Sequence, residues 1–140
     1  MSQENVEIVR RAYALLSDLP GARRGDHDDL FLEYFSDDAE LVPPRIYPDV
    51  EPVYVGLEGW KRWLGQIDDV FDDWGFEAEN FLDAGGQVVV LVRTSGRAKQ
   101  SRAAVTIPAA HVHTLRDARV VRLEVFLDRR EAFKAAGLSE

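Results

Sequence analysis

Two of the chain's three histidines stand as His-x-His in the stretch AAHVHTLRDARVVRLEVFLD, residues 109–128. Imidazole titrates near neutral pH, so a histidine held in a pocket can give or take a proton there. His111 is the leading candidate for an acid–base group. Glu40, at the start of a short strand, and Arg93, on a long apolar strand, are the candidates for its polar partner. The ordinary roles open to these two are a rim carboxylate and a convex-face ion pair. Metal binding is the other chemistry of His-x-His. Two imidazoles on one strand face can share an ion, but a site needs a third ligand. His27 lies in an acidic stretch that carries no signal of converging on the pair, so no metal and no cofactor are expected. The absence of cysteine excludes disulfides, thiolate catalysis and cysteine-ligated metals.

What the histidines can do depends on where they point. Successive strand residues face opposite sides, so His111 and His113 share one face, and Ala110, Val112 and Thr114 share the other. On the next strand Val121, Leu123, Val125 and Leu127 make an aliphatic face that must meet the core. A two-residue turn at Asp117-Ala118 pairs Val112 with Leu123 and leaves the histidines outside, beside Glu124 and Arg122. A three-residue turn, Arg116-Asp117-Ala118, pairs His111 with Leu123 and His113 with Val121 and brings both inside. A one-residue change of register exchanges the faces, and the inward register is the expectation. A buried histidine that only hydrogen-bonds a tyrosine or a backbone group remains open beside the chemical reading.

These residues need a scaffold. Ser2 can cap a helix running to about Leu19, with Val6, Val9, Tyr13 and Leu16 on one face and Pro20-Gly21 as its stop. A second short helix follows Asp26, with Leu30, Phe31, Tyr34 and Phe35 as its apolar side. Residues 39–44 read as a strand ended by two prolines. Residues 44–56 read as a loop, with a strand piece at Val53 to Val55. Trp60, Trp63, Leu64, Ile67, Phe71 and Trp74 form one helical stripe, which predicts a third helix ended by Gly75. Its tryptophans suit a core against a sheet, or an aromatic ligand box.

Four strands follow, at about 76–83, 87–95, 102–115 and 119–127. Their turns fall at Ala84-Gly85-Gly86, near Gly96 to Lys99, and at Arg116-Asp117-Ala118. Val88 to Val92 is apolar throughout, as in a strand covered on both faces, or on one face plus a dimer contact. Asp128 caps a last helix, with Glu131 completing a capping box and Gly137 as its stop. Helices first and a strand meander after is an α+β plan. The helices would close the concave side of a curved antiparallel sheet and leave a pocket lined by Tyr13, Trp63, Ile67, His113, Leu123 and Val125.

The 140 residues suit a single domain, 1–140. No apolar run is long enough to cross a membrane, and the N-terminus does not read as a secretory signal, so a cytoplasmic location is expected. The net charge of −8, with acidic clusters at 25–30, 36–40 and 66–75, makes nucleic acid and membrane poor partners. The basic run 93–102 reads as a solvated hairpin end.

The segments ENVEIVRRAYALL, GDHDDLFLEYFSDDAEL, GLEGWKRWL, FLDAGGQVVVLVR and above all AHVHTLRDARVVRLEVFLDRREAFKAAGL resemble the SnoaL-like group of the NTF2-like superfamily. The resemblance covers nearly the whole chain. It implies an NTF2-like (cystatin-like) cone with an internal pocket, a small hydrophobic ligand and a homodimer. It does not imply one chemistry, because the fold hosts isomerases, cyclases, dehydratases, epoxide hydrolases and binding modules. Against the ketosteroid isomerases, the phenol position falls at Ala12, next to Tyr13, and the general-base position at Pro43, so that mechanism is excluded. Against the SnoaL-type cyclases, the histidine position falls at His111 and the aspartate position at Val125. Limonene-type epoxide hydrolases also place a carboxylate near Val125. The functions that follow are an isomerase, cyclase or lyase-type enzyme using a pocket histidine, a non-catalytic module holding an apolar ligand, or a structural dimerisation domain meeting its copy through Phe126 and Val112.

Overall fold

The computed structural model describes residues 2–17, 28–44 and 50–138. The side chain of Ser2, the stop at Pro20-Gly21, the helix start at Asp26 and His27 lie outside what is described. In chain order the elements are helix α1 (Ser2–Ser17), helix α2 (Asp28–Tyr34), strand β1 (Phe35–Val42), strand β2 (Tyr54–Val55), helix α3 (Gly56–Val70), strands β3 (Phe71–Asp83), β4 (Gln87–Ala98), β5 (Ala104–Arg116) and β6 (Arg119–Phe126), and helix α4 (Arg129–Ala135). The strands form one curved, mixed sheet in the order β2-β1-β6-β5-β4-β3. Strands β3 to β6 make the antiparallel meander, and β1 lies parallel beside β6. The α+β plan stands.

Period explains which residues meet. Val6, Val9 and Tyr13 of α1 are buried against Val88, Val90 and Val92 of β4 and against Ala109 and Leu115 of β5. The alternate residues of the same strands face the other way. Val89, Ala110 and Val112 form a second cluster with Ala132 of α4, flanked by Phe126 and Phe133. The all-apolar segment Val88 to Val92 of β4 is thus covered on both faces within the chain. Val112, expected on a dimer surface with Phe126, is instead buried in the cluster that α4 closes. Asp128 caps α4 through its side chain, accepting from the Arg130 N–H at 2.9 Å, and Gly137 follows at φ +74°.

Two sequence expectations are corrected. The α3 helix ends at Val70, not at Gly75, so Phe71 and Trp74 belong to β3. Phe71 is extended (φ −126°, ψ 142°) and pairs with Ala98, while the Val70 carbonyl accepts from Lys99 N–H. Leaving the helix makes room for these ladder bonds, and a bulge between Asp72 and Gly75 then turns Trp74 inward, so it only mimics the helical period. The β4–β5 connection also lies later than Gly96. That glycine pairs with Val105 inside the strand, where an added Cβ would stand 3.2 Å from the Trp74 Cβ.

The β5–β6 hairpin combines features that the sequence alternatives kept apart. Its turn is the two-residue one, with Asp117 and Ala118 at φ 54° and 66°, the positive values of a type I′ turn. Arg116 pairs with Arg119 and Leu115 with Val120. A plain ladder would continue with Thr114 opposite Val121. Thr114 instead pairs with Arg122, so Val121 is an extra residue on β6. This bulge restores the inward register: His113 opposes Leu123 and His111 opposes Val125. Val120 takes the core place expected of Val121.

Alanine at φ 66° carries the left-handed strain that glycine avoids. Ala118→Gly is therefore expected to stabilise the fold by about 0.5–1 kcal/mol. The urea midpoint should rise with an unchanged slope.

Candidate functional site

Helices α1 and α3 and the concave face of the sheet enclose a cavity of about 200 Å³. The sheet contributes His111, His113, Leu123 and Val125, because the β6 bulge points this set inward. Ala12 and Tyr13 come from α1, and Trp60, Trp63, Leu64 and Ile67 from α3, where the helical period places them on one side. No Asp, Glu, Lys or Arg lines the cavity among the described residues. Pro43, at the position where a steroid isomerase would keep its base, adds only hydrocarbon.

Thr94 and Ser95 also line the cavity, and three further polar side chains meet at one point. The Tyr13 hydroxyl lies 2.6 Å from Nδ1 of His111 and 2.7 Å from Nε2 of His113. All three residues are buried, with 6%, 7% and 4% of their surfaces exposed. Aromatic rings fix their orientation. The Phe76 ring stands edge-to-face with His111 at 5.2 Å, and Phe76 and Phe81 each lie 5.6 Å from Tyr13. Nδ1 of His113 is buried with no hydrogen-bond partner among the described residues.

Burial sets the charges. It pushes the His111 imidazole down from 6.5 to about 4. Burial, with His111 adding to it, pushes His113 down to about 3. It raises the Tyr13 phenol well above its ordinary range. Burial disfavours the charged form in each case, so the three groups are neutral at pH 7. Such a cluster exchanges hydrogen bonds readily and holds a positive charge poorly.

The structure brings together Tyr13, Trp63, Ile67, His111, His113, Leu123 and Val125. It does not bring Glu40 or Arg93 to them. Glu40 is exposed and ion-paired with Arg122 of β6 at 2.7 Å, on the outer face. Arg93 is exposed and paired with Glu79 of β3 at 3.3 Å, also outside. Strand alternation is the reason: both share a face with residues that point away from α1 and α3. The Tyr13 link between the two histidines was the feature that sequence reasoning left unassembled. Its signal was modest, a tyrosine on the inner stripe of α1. No group of three His, Cys, Asp or Glu side chains able to hold a metal forms among the described residues. No helix among them is long and apolar enough to cross a membrane.

Comparisons with known proteins agree with this frame. The SnoaL-like domain family matches residues 9–123. No curated protein matches the chain. Among solved structures, TerC, co-crystallised with polyporic acid, superposes with a TM-score of 0.73 at 22% identity, covering 96% of this chain and 98% of that one. An NTF2-like protein of unknown function from Burkholderia pseudomallei gives 0.74 at 17% identity, covering 94% and 95%. Another NTF2-like protein, from Burkholderia xenovorans, gives 0.71 at 22%, covering 97% and 98%. At such identities these likenesses speak for the fold alone, an NTF2-like cone, and the family match speaks for the sequence. The chain belongs to the SnoaL-like domain family.

Proposed function

We propose that the chain holds a small, uncharged, largely apolar molecule in the cavity, with a polar group of that molecule bonded at His111. The observation that carries this is the lining: about 200 Å³ without a charged side chain among the described residues, with Tyr13 and the two histidines clustered in it and Thr94 and Ser95 as its other polar lining residues. An apolar cavity of about 150 Å³ is enough to take up benzene, so this one has room for a substituted ring. A charged ligand would sit unpaired in a dry site at high cost. TerC, of the same fold, was co-crystallised with polyporic acid, which supports small-molecule binding by this fold without fixing the ligand's character.

Trp60, Trp63 and Trp74 line the cavity, so occupancy is readable by tryptophan fluorescence. Titration with toluene should give a saturable change that Ile67→Phe, which fills the space, abolishes. A linear, unsaturable response in the unsubstituted protein would sink this reading. Retention of an apolar compound through purification, seen by mass spectrometry of a solvent extract, would name the ligand.

A second reading is an isomerase, cyclase or lyase-type enzyme in which His111 moves a proton. The short Tyr13–His111 contact favours it by giving a proton path. The neutral lining weighs against it, because nothing in the cavity stabilises a charged intermediate. Val125 stands directly opposite His111. Val125→Asp should therefore raise the His111 pKa from about 4, by placing an anion within cross-strand reach. An unchanged histidine titration by NMR would show that the two positions do not communicate. A homodimer remains part of the proposal. With Val112 beneath the α4 cluster, it would use outer surface bearing the Arg93–Glu79 and Arg122–Glu40 pairs, and light scattering at micromolar concentration tests it.

A further inference from the structure

The Tyr13 hydroxyl carries one hydrogen and touches two imidazole nitrogens, Nδ1 of His111 and Nε2 of His113. With all three groups neutral, one nitrogen accepts the phenol hydrogen and the other donates its own to the phenol oxygen. Two arrangements satisfy both contacts. In the first, His111 accepts at Nδ1 and carries its hydrogen on Nε2, while His113 donates from Nε2 and leaves Nδ1 bare. In the second, His113 accepts at Nε2 and carries its hydrogen on Nδ1, while His111 donates from Nδ1 and leaves Nε2 bare.

They differ first at His113 Nδ1, which is buried and unpartnered. The first arrangement leaves a lone pair there, and the second leaves an N–H. Orphaned buried N–H groups are the rarer of the two in folded proteins. The second difference is intrinsic: the Nε2–H form is the favoured tautomer of neutral histidine. The first arrangement uses that form at both residues and the second at neither. Both considerations select the first.

The consequence falls on His111 Nε2, the free ring nitrogen of a residue that lines the cavity. We propose that Tyr13 locks both histidines as Nε2–H tautomers, so that His111 offers a donor to the cavity and the site selects ligands whose polar group is an acceptor, such as a ketone oxygen. Tyr13 acts here as a positioning residue. This rests on the cavity being a ligand site, as proposed above, and it narrows the ligand class.

The tautomers are read without any ligand, from two-bond ¹⁵N–¹H correlations of the imidazoles at pH 7. Both histidines should show a protonated Nε2 and a bare Nδ1. A protonated Nδ1 on either would overturn the assignment. Selectivity is read with two isosteric pairs. Acetophenone should bind about tenfold more tightly than α-methylstyrene, the gain of one hydrogen bond, and phenol no more tightly than toluene. Phenol preferred over toluene, with no preference for the ketone, would overturn the selectivity. Failure of all four to bind would overturn the pocket reading and the selectivity with it, while the tautomer result stands separately. In Tyr13→Phe the intrinsic Nε2–H preference is no longer enforced, so the His111 signals should gain a minor Nδ1–H population and the ketone preference should fall from about tenfold to severalfold. A Tyr13→Phe protein with unchanged tautomers and preference would overturn the positioning role. The measurements on the unsubstituted protein need no variant to fold.

Discussion

Lowering the pH from 7 to 5 is expected to cost the fold about 4 kcal/mol. Unfolded histidine titrates near 6.5, whereas folded His111 and His113 are held down to about 4 and about 3 by burial. The stability they allow is fully present above 6.5. Below that the unfolded chain takes up two protons that the folded chain refuses. Stability therefore falls with pH until the folded values are reached, and between 6.5 and 5 the loss hardly depends on their precise positions. Among the described residues the window is also clean. Glu79 and Asp128 are held below their ordinary values by Arg129 and by the backbone N–H of Arg130 respectively, so they titrate later. Urea unfolding at pH 7, 6 and 5 checks this. The midpoint should drop steeply in the natural sequence and far less in a variant with both His111→Leu and His113→Leu. Parallel pH dependence in the two would place the lost stability elsewhere.

Tyr13→Phe is the second large effect. The substitution keeps the ring, its packing on Phe76 and Phe81, and the helical stripe of α1. It removes the single hydroxyl that satisfies two buried nitrogens. Each orphaned group costs roughly 1–3 kcal/mol, so the expected loss is about 2–6 kcal/mol. The cost should depend on the histidines. When Tyr13→Phe is combined with His111→Leu and His113→Leu, no polar atom of the cluster is stranded. The combined loss should fall below that of the separate changes added together, by on the order of 1–3 kcal/mol. Simple additivity in a denaturation cycle would mean that the three side chains do not act as a unit.

Much of this was legible in the amino-acid sequence, for physical reasons that differ by element. The α1 stripe, the apolar β4 and the capped α4 follow from period and capping, which are local. The end of α3 was not legible, because Phe71 and Trp74 continue the helical spacing and only the pairing with Ala98 on a strand still to come draws Phe71 out of the helix. The hairpin shows the same limit. Asp117-Ala118 can be read as a turn, but the Val121 bulge that turns the histidines inward arises from burying Leu115 with Val120 on one side and Leu123 and Val125 with the histidines on the other. At the site, the histidine pair and the pocket residues were readable by type and spacing. Glu40 and Arg93 were not excluded by type, and only the face each occupies removes them. The convergence of Tyr13 on both histidines spans about a hundred residues of chain, beyond the reach of local pattern.

The central claim is that two neutral histidines, bridged by Tyr13, form the polar end of an apolar cavity. Its most direct test is a titration of the histidine C2 protons by NMR from pH 8 to 3. His111 and His113 should stay neutral down to about pH 4 and about pH 3, or until the protein unfolds. If either titrates near 6.5 in the folded protein, as an exposed imidazole does, the cluster is open to water and the account of the site is wrong.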